Sequence, residues 1–464
     1  MVDKLTKTWT EETTSLCPKC LTTVPARLCE LAGKVWMTKR CERHGESRTL
    51  IASDAKEYLR LREYVSPRNG TACCGAGETC GESPPICVLL LEITLACNLR
   101  CPTCYADAHG HDYMPIEEVR SRLDAFFKKQ QGSLDVLMLS GGEPTIHPRF
   151  AEILDLAVSY PVGRVLINTN GLRMHQSDET MAALAKHRDR IEIFFSFSSF
   201  RPEVHDRLYG RDLRLEKQSA LERAQKARLY TILVPTIERG VNDDEIGDLY
   251  RFALSMDNIN GLNFQPVMSA GRYEHDFAGK DRMTLTDVIL ELEKQTHGAL
   301  NRLDFVALPC SHPDCCALTY GFLDEKRETI TPLPRHLEVA KYLDIFSDRI
   351  SFAGLLGSAA RRVWSDMANM KAGETLKDLA TLFKAAGIRE IVPLIGKRDV
   401  IGKRIFRIVV KPFMDAHSYD HKRTEQCCTK ILTEAGESIS FCEYNVLHRT
   451  RRKFTSQIAL SLKG

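Results

Sequence analysis

The chain has 464 residues, enough for about two to three domains, and its 43% hydrophobic and 27% charged content is that of a soluble globular protein. With 64 basic and 61 acidic residues the net charge is +3, which argues against a dedicated nucleic-acid binder. No secretory apolar region opens the sequence and no apolar run is long enough to span a bilayer. Seventeen cysteines, clustered and without a signal peptide, read as metal ligands rather than disulfides and set the chain in a reducing cytoplasm.

Residues 1–70 read as a metal-binding ribbon. Cys17-Pro-Lys-Cys20 and Cys41-Glu-Arg-His44 supply four ligands for one tetrahedral metal, and the gap between them fits a β-hairpin. Zinc and a rubredoxin-like iron both suit this set, and Cys29 is a spare that could replace His44. Asp54 to Val65 follows as a short amphipathic helix. Residues 71–96 hold Cys73, Cys74, Cys80 and Cys87 in a Gly-rich stretch, which suggests an auxiliary iron–sulfur cluster.

Residues 97–300 read as an α/β catalytic core. Val88–Leu95 is a short, apolar, strand-like run, and Cys97, Cys101 and Cys104 follow it at C-x3-C-x2-C spacing. A [4Fe–4S] cube is normally held by four cysteines, so three leave one iron open for a substrate or cofactor. Strand-like and helix-like stretches then alternate, predicting a parallel sheet with crossover helices. Leu134–Leu139 runs into Ser140-Gly141-Gly142-Glu143-Pro144, where two glycines expose backbone groups and a carboxylate can accept from an ammonium. Later strands are expected at Arg164–Asn168, Ile191–Phe197, Tyr230–Ile237 and Leu262–Val267. Gln265 faces either the pocket or solvent, and His109 and His111 are read as solvated. Six strands make a partial (β/α)6 barrel with its chemistry at the carboxyl ends.

Residues 301–464 form a C-terminal auxiliary-cluster and substrate domain. Cys310, Cys315, one or both of Cys427 and Cys428, and Cys442 are expected around a second auxiliary cluster. Helices are expected at Leu355–Met370 and Glu374–Ala386, and a strand at Ile405–Val410. Arg449, Arg451, Arg452 and Lys453 read as a solvated basic tail, with contact to anionic lipid headgroups as the minority reading.

The Cys97–Cys104 loop and the Gly141–Pro144 motif one strand later resemble those of radical S-adenosylmethionine (radical SAM) enzymes. The resemblance implies that the open iron chelates SAM and that a 5′-deoxyadenosyl radical abstracts hydrogen from substrate. It also implies that Gly141, Gly142, Glu143 and Pro144 meet the SAM amino group, and that Ser196 and Ser198 touch its ribose. The family usually has an aromatic residue just before the third cysteine; here Thr103 stands there, and Tyr105 follows the cysteine. The wider layout of Cys17–Cys20, Cys41–His44, Pro309–Pro313, Lys411–Asp415, Cys427, Cys428 and Cys442 resembles the tetraether lipid synthase group and its bacterial relatives. That resemblance implies two auxiliary clusters, one mononuclear metal and C–C coupling of lipid alkyl chains, with an apolar tunnel in residues 317–410. It also implies an electron donor such as a ferredoxin or flavodoxin. The alternative kept beside lipid coupling is radical SAM modification of a peptide or small molecule; a multi-cluster electron-transfer protein is the third. The expected setting is cytoplasmic, with peripheral membrane contact in the lipid reading and no nucleic-acid partner.

Overall fold

The computed structural model describes residues 9–63, 86–130, 132–275, 281–336 and 404–449. The expected helices at Leu355–Met370 and Glu374–Ala386, and most of the expected tunnel, lie outside these residues.

The ribbon is a four-stranded antiparallel meander: β1 (Thr10–Leu16), β2 (Thr23–Leu31), β3 (Lys34–Cys41) and β4 (Gly45–Ala52). Its period-two pattern buries Ala26 and Leu28 against Met37, as a one-sided sheet requires. Helix α1 (Ala55–Arg62) follows, with Asp54 accepting from the Glu57 amide at its N-terminus.

The core begins with β5 (Val88–Thr94) and continues through α2 (Ile116–Gln130), β6 (Leu134–Gly141), α3 (Phe150–Ser159), β7 (Val162–Thr169), α4 (Leu172–Gln176) and α5 (Asp178–Lys186). Then come β8 (Ile191–Ser196), α6 (Pro202–Tyr209), α7 (Arg214–Lys226), β9 (Thr231–Val234), α8 (Ile246–Ser255) and β10 (Ile259–Pro266). The six strands β5 to β10 lie side by side in chain order and all pair in parallel, as expected for a partial (β/α)6 barrel. Both faces are buried, so the strands read as near-continuous apolar runs. Leu89, Leu91, Leu137, Val165, Ile193 and Leu262 pack outward in the helix layer. Val88, Leu90, Met138, Leu166, Phe194 and Ile232 face the interior.

The same sheet continues past residue 300. After α9 (Leu285–Gln295), β11 (Val306–Ala307) pairs with β12 (Ala317–Leu323), and β12 lies antiparallel to β13 (Ile405–Val410). β13 is parallel to β10 and covers that edge of the barrel. At the other edge, α10 (His421–Glu425) leads into β14 (Thr429–Leu432), which is parallel to β5.

One ion pair crosses the barrel interior. Arg407 on β13 donates to the Glu192 carboxylate on β8, with strands β10 and β9 between them. Gly261 makes the crossing possible: a Cβ there would stand 2.6 Å from Arg407 Cγ. Both side chains are nearly buried, at 12% and 7% exposure, so removing one strands a charge in a poor solvent. We expect Arg407→Leu to cost about 3–5 kcal/mol, read as a lowered thermal midpoint, and Arg407→Leu with Glu192→Leu to recover most of it.

Candidate active site and metal centres

The three-cysteine loop leaves the carboxyl end of β5 and is held from several sides. Leu99 seats in an apolar cluster with Leu172, Val204, Leu208, Tyr209 and Leu213, and Cys97 and Cys101 pack against it. The Asn170 amide side chain donates to Asn98 Oδ1 at 2.8 Å. Arg272 donates to the Cys101 carbonyl at 2.8 Å and pairs with Asp107 at 3.3 Å. Burial pushes the Cys97 thiol up to about 12 and the Cys101 thiol up to about 11. Such thiols give up their protons to a bound cation rather than to water.

The glycines of the Gly141–Pro144 motif have a packing role. They let the end of β6 lie against the root of the cysteine loop. A Cβ on Gly141 would stand 2.0 Å from the Thr94 carbonyl oxygen, and one on Gly142 would stand 2.1 Å from that of Ala96. Gly141 also sits at φ +122°, which favours glycine. At this approach the Gly142 amide donates to Thr94 O at 2.8 Å and the Glu143 amide to Ala96 O at 2.9 Å. Pro144 opens the short turn that follows. The buried Glu143 carboxylate accepts from Thr145, from Thr169 Oγ1 at 2.7 Å and from the Asn170 amide at 2.7 Å. Burial pushes its pKa up, against the lowering effect of these bonds. Glu143 thus fixes the loop that in turn reaches Asn98. Lys217 completes this wall: fully buried, it donates to the Asn170 and Ser196 carbonyls at 3.2 and 2.6 Å. Its place on a polar helix face hid it from sequence reasoning.

A cavity of about 250 Å³ runs from this loop into the barrel. Cys97, Cys101, Cys104, Gly141, Gly142, Glu143 and Ser196 line it, and so do Cys316 and Cys428. Ser198 does not reach it: fully buried, its hydroxyl accepts from Tyr209 at 2.7 Å and from the Thr236 amide at 3.0 Å. Gln265 does face the cavity. Tyr105, just past the third cysteine, packs on Phe441 with ring centroids 5.2 Å apart, and both line the same space. His109 and His111 are exposed, as expected. Arg449 is not part of a solvated tail: it is buried, paired with Glu92 and bonded to the Ala106 carbonyl behind the cysteine loop. Arg451, Arg452 and Lys453 lie outside the described residues.

The remaining cysteines sort differently from the sequence expectation. Cys17, Cys20, Cys41 and His44 do converge. Cys20 and Cys41 Sγ are 3.8 Å apart, and His44 Nδ1 stands 3.4 Å from Cys17 Sγ and 3.6 Å from Cys41 Sγ. Metal–sulfur bonds of about 2.3 Å in a tetrahedron put two sulfurs about 3.8 Å apart and a sulfur and nitrogen about 3.5 Å apart, so the donor set fits one ion. Cys29, on β2, is not in the group. Cys73, Cys74 and Cys80 lie outside the described residues. Cys87, expected with them, instead meets Cys310 and Cys428 in a buried all-thiol group. Cys87 and Cys310 Sγ approach to 2.9 Å, nearer than two ligands of one tetrahedral ion, so holding a metal requires them to separate. Cys315, Cys427 and Cys442 are not part of that group. Arg423 Nε donates to Cys315 Sγ at 3.4 Å and the Met414 amide to Cys442 Sγ at 3.3 Å. Of the single site expected for Cys310, Cys315, Cys427, Cys428 and Cys442, the structure brings Cys310 and Cys428 together, with Cys87.

A methyl at Gly142 would collide with the loop root, so Gly142→Ala is expected to cut SAM cleavage by at least roughly a hundredfold while the ribbon keeps its metal. Iron and zinc analysis of the purified variant, beside quantified 5′-deoxyadenosine, checks both halves. Cys41→Ser should do the reverse to metal content, removing the ribbon's one equivalent.

Comparison with known proteins returns two family models. Residues 91–253 match the radical SAM superfamily, and residues 9–53 match the HMPTM N-terminal zinc ribbon domain. The 7,8-dihydro-6-hydroxymethylpterin dimethyltransferase of Methanocaldococcus jannaschii is 30% identical over 480 residues, covering 95% of this chain and 94% of that protein. A GTP 3′,8-cyclase of Aquifex aeolicus is 28% identical over 222 residues, 46% of this chain and 66% of that protein. The solved structure of Streptococcus suis SuiB bound to precursor peptide SuiA is 16% identical, covering 52% of this chain and 48% of that chain at a TM-score of 0.38. The tetraether lipid synthase group is not among these relatives, and lipid C–C coupling finds no support in them; modification of a small molecule, the alternative kept beside it, fits them better. No helix among the described residues is long and apolar enough to cross a membrane. The three-cysteine loop, the glycine clamp at its root and the full-length match together place the chain in the radical SAM superfamily, in the family of the 7,8-dihydro-6-hydroxymethylpterin dimethyltransferase.

Proposed function

We propose that this protein is a radical SAM enzyme that methylates carbon atoms of a small reduced pterin-type heterocycle. The observation that carries the reading is the character of the barrel interior. Arg164, Glu192, Arg407, Asn168, Asn263 and Gln265 line the cavity beyond the cysteine loop. An alkyl chain would leave the Asn263 Oδ1 and the Gln265 carboxamide without partners, a cost that a heterocycle rich in N–H and C=O groups does not incur. The full-length relation to a pterin dimethyltransferase supports the same substrate class.

With a [4Fe–4S] cluster and SAM bound, reduction supplies a 5′-deoxyadenosyl radical able to take hydrogen from carbon, chemistry that side chains cannot supply. In this reading Cys97, Cys101 and Cys104 hold the cluster. Glu143 keeps the Asn170 loop against it, with Gly141, Gly142 and Ser196 on the wall where SAM lies. Tyr105 and Phe441 close the apolar side and exclude water. The Cys87/Cys310/Cys428 group has the soft, buried donors that suit an auxiliary iron–sulfur cluster, and the ribbon holds one zinc or iron ion.

The test is anaerobic. Reconstituted protein receives dithionite, SAM and 6-hydroxymethyl-7,8-dihydropterin deuterated at its ring and side-chain carbons. Deuterium in 5′-deoxyadenosine, absent with Cys101→Ala, is the expected result. Unlabelled 5′-deoxyadenosine with the pterin, together with deuterium transfer from a perdeuterated phospholipid, would overturn the reading.

A further inference from the structure

Most polar side chains around the barrel cavity are already satisfied by the protein. Glu192 binds Arg407, and the Asn168 amide donates to Ser140 Oγ at 3.0 Å. Ser196 donates to Tyr209, and Lys411 donates to Thr429 Oγ1 at 2.8 Å. Two carboxamides on β10 are different. Asn263 lines the cavity and is 9% exposed, yet its Oδ1 is buried with no hydrogen-bond partner. Gln265 lines the same cavity, and its carboxamide has no partner among the described residues. Positions i and i+2 of a strand share a face, about 7 Å apart, so both amides address one space. Native interiors rarely leave such groups unpaired, because the lost solvation is not recovered.

A carboxamide presents an acceptor oxygen and a donor nitrogen side by side. Its bidentate complement is a ring edge with a donor beside an acceptor, a cyclic amide or amidine. The pyrimidinone ring of a pterin has both, N3–H beside the C4 carbonyl and the 2-amino group beside N1. Val234 and Phe194 lie on the adjacent strands β9 and β8 and give the ring apolar walls. Building on the pterin reading above, we propose that Asn263 and Gln265 recognise the pyrimidinone edge of the substrate and set its orientation in the barrel. These are substrate-binding residues; they take no proton or electron in the reaction.

The test compares two probes on the anaerobically reconstituted holoenzyme: 6-hydroxymethylpterin and its 2-deamino counterpart, which carries hydrogen in place of the 2-amino group and so lacks that donor. Binding is read from the intrinsic fluorescence of the probes. A site built to hydrogen-bond a group rejects the analogue that lacks it, so the wild type should favour the pterin by at least roughly tenfold. In N263L/Q265L of equal iron content the preference should fall below roughly threefold. Gln265→Leu alone, at a half-buried position, repeats the test without disturbing the interior and should lose part of the preference. Unchanged preference in these variants, or a wild type that binds both probes equally, would overturn the assignment while leaving the pterin reading standing. A wild type that binds neither probe would overturn both.

Discussion

Everything at the catalytic end of the barrel depends on how closely the end of β6 approaches the root of the cysteine loop. The contact is backbone to backbone, with the amides of Gly142 and Glu143 satisfying the carbonyls of Thr94 and Ala96. Any side chain at Gly141 or Gly142 would force these two segments apart by more than an ångström. Because the contact is made, Glu143 lies deep enough to gather Thr145, Thr169 and the Asn170 amide around one carboxylate. Asn170 then reaches back to Asn98 inside the cysteine loop. The loop is thus braced at its start by β6 and along its length by the turn after β7. A labile inorganic cofactor gains a wall that does not have to reorganise around it.

The parts legible in the sequence are those set by local spacing. Three cysteines within eight residues after an apolar run, and a Gly-Gly-Glu-Pro turn one strand on, identify the site because the chain itself holds those residues together. The ribbon ligands are legible for the same reason, each knuckle being closed by two intervening residues. The barrel followed from strands apolar on both faces that alternate with amphipathic helices.

What was not legible depends on long-range packing. Cys87 meets Cys310 and Cys428 across 223 and 341 residues, and no spacing rule reports that. Of the adjacent cysteines 427 and 428, only Cys428 joins that group, and nothing in their spacing distinguishes the two. Arg449 opens what reads as a basic run, yet it is drawn inward by Glu92, a charge on β5 that needs a partner once the strand is buried. Ser198 has the polarity of a ligand contact but is consumed by Tyr209 and the Thr236 amide. In each case residue chemistry was read correctly while its partner was supplied by a distant segment.

The strands that flank the barrel come from the end of the chain. β13 and β14 cover its two open edges, and the ribbon made first is anchored to segments made last, through Thr13 on Asp420, Ser15 on the Tyr419 carbonyl, and Lys39 on the carbonyls of Ala416 and His417. During synthesis, then, the six-stranded sheet stands with both edges unpaired until more than four hundred residues have emerged, a state prone to pairing with other chains. The buried thiols of Cys310 and Cys428 come together only at that late stage. The order in which this molecule is built, and not only its finished geometry, therefore sets when its buried thiols can meet.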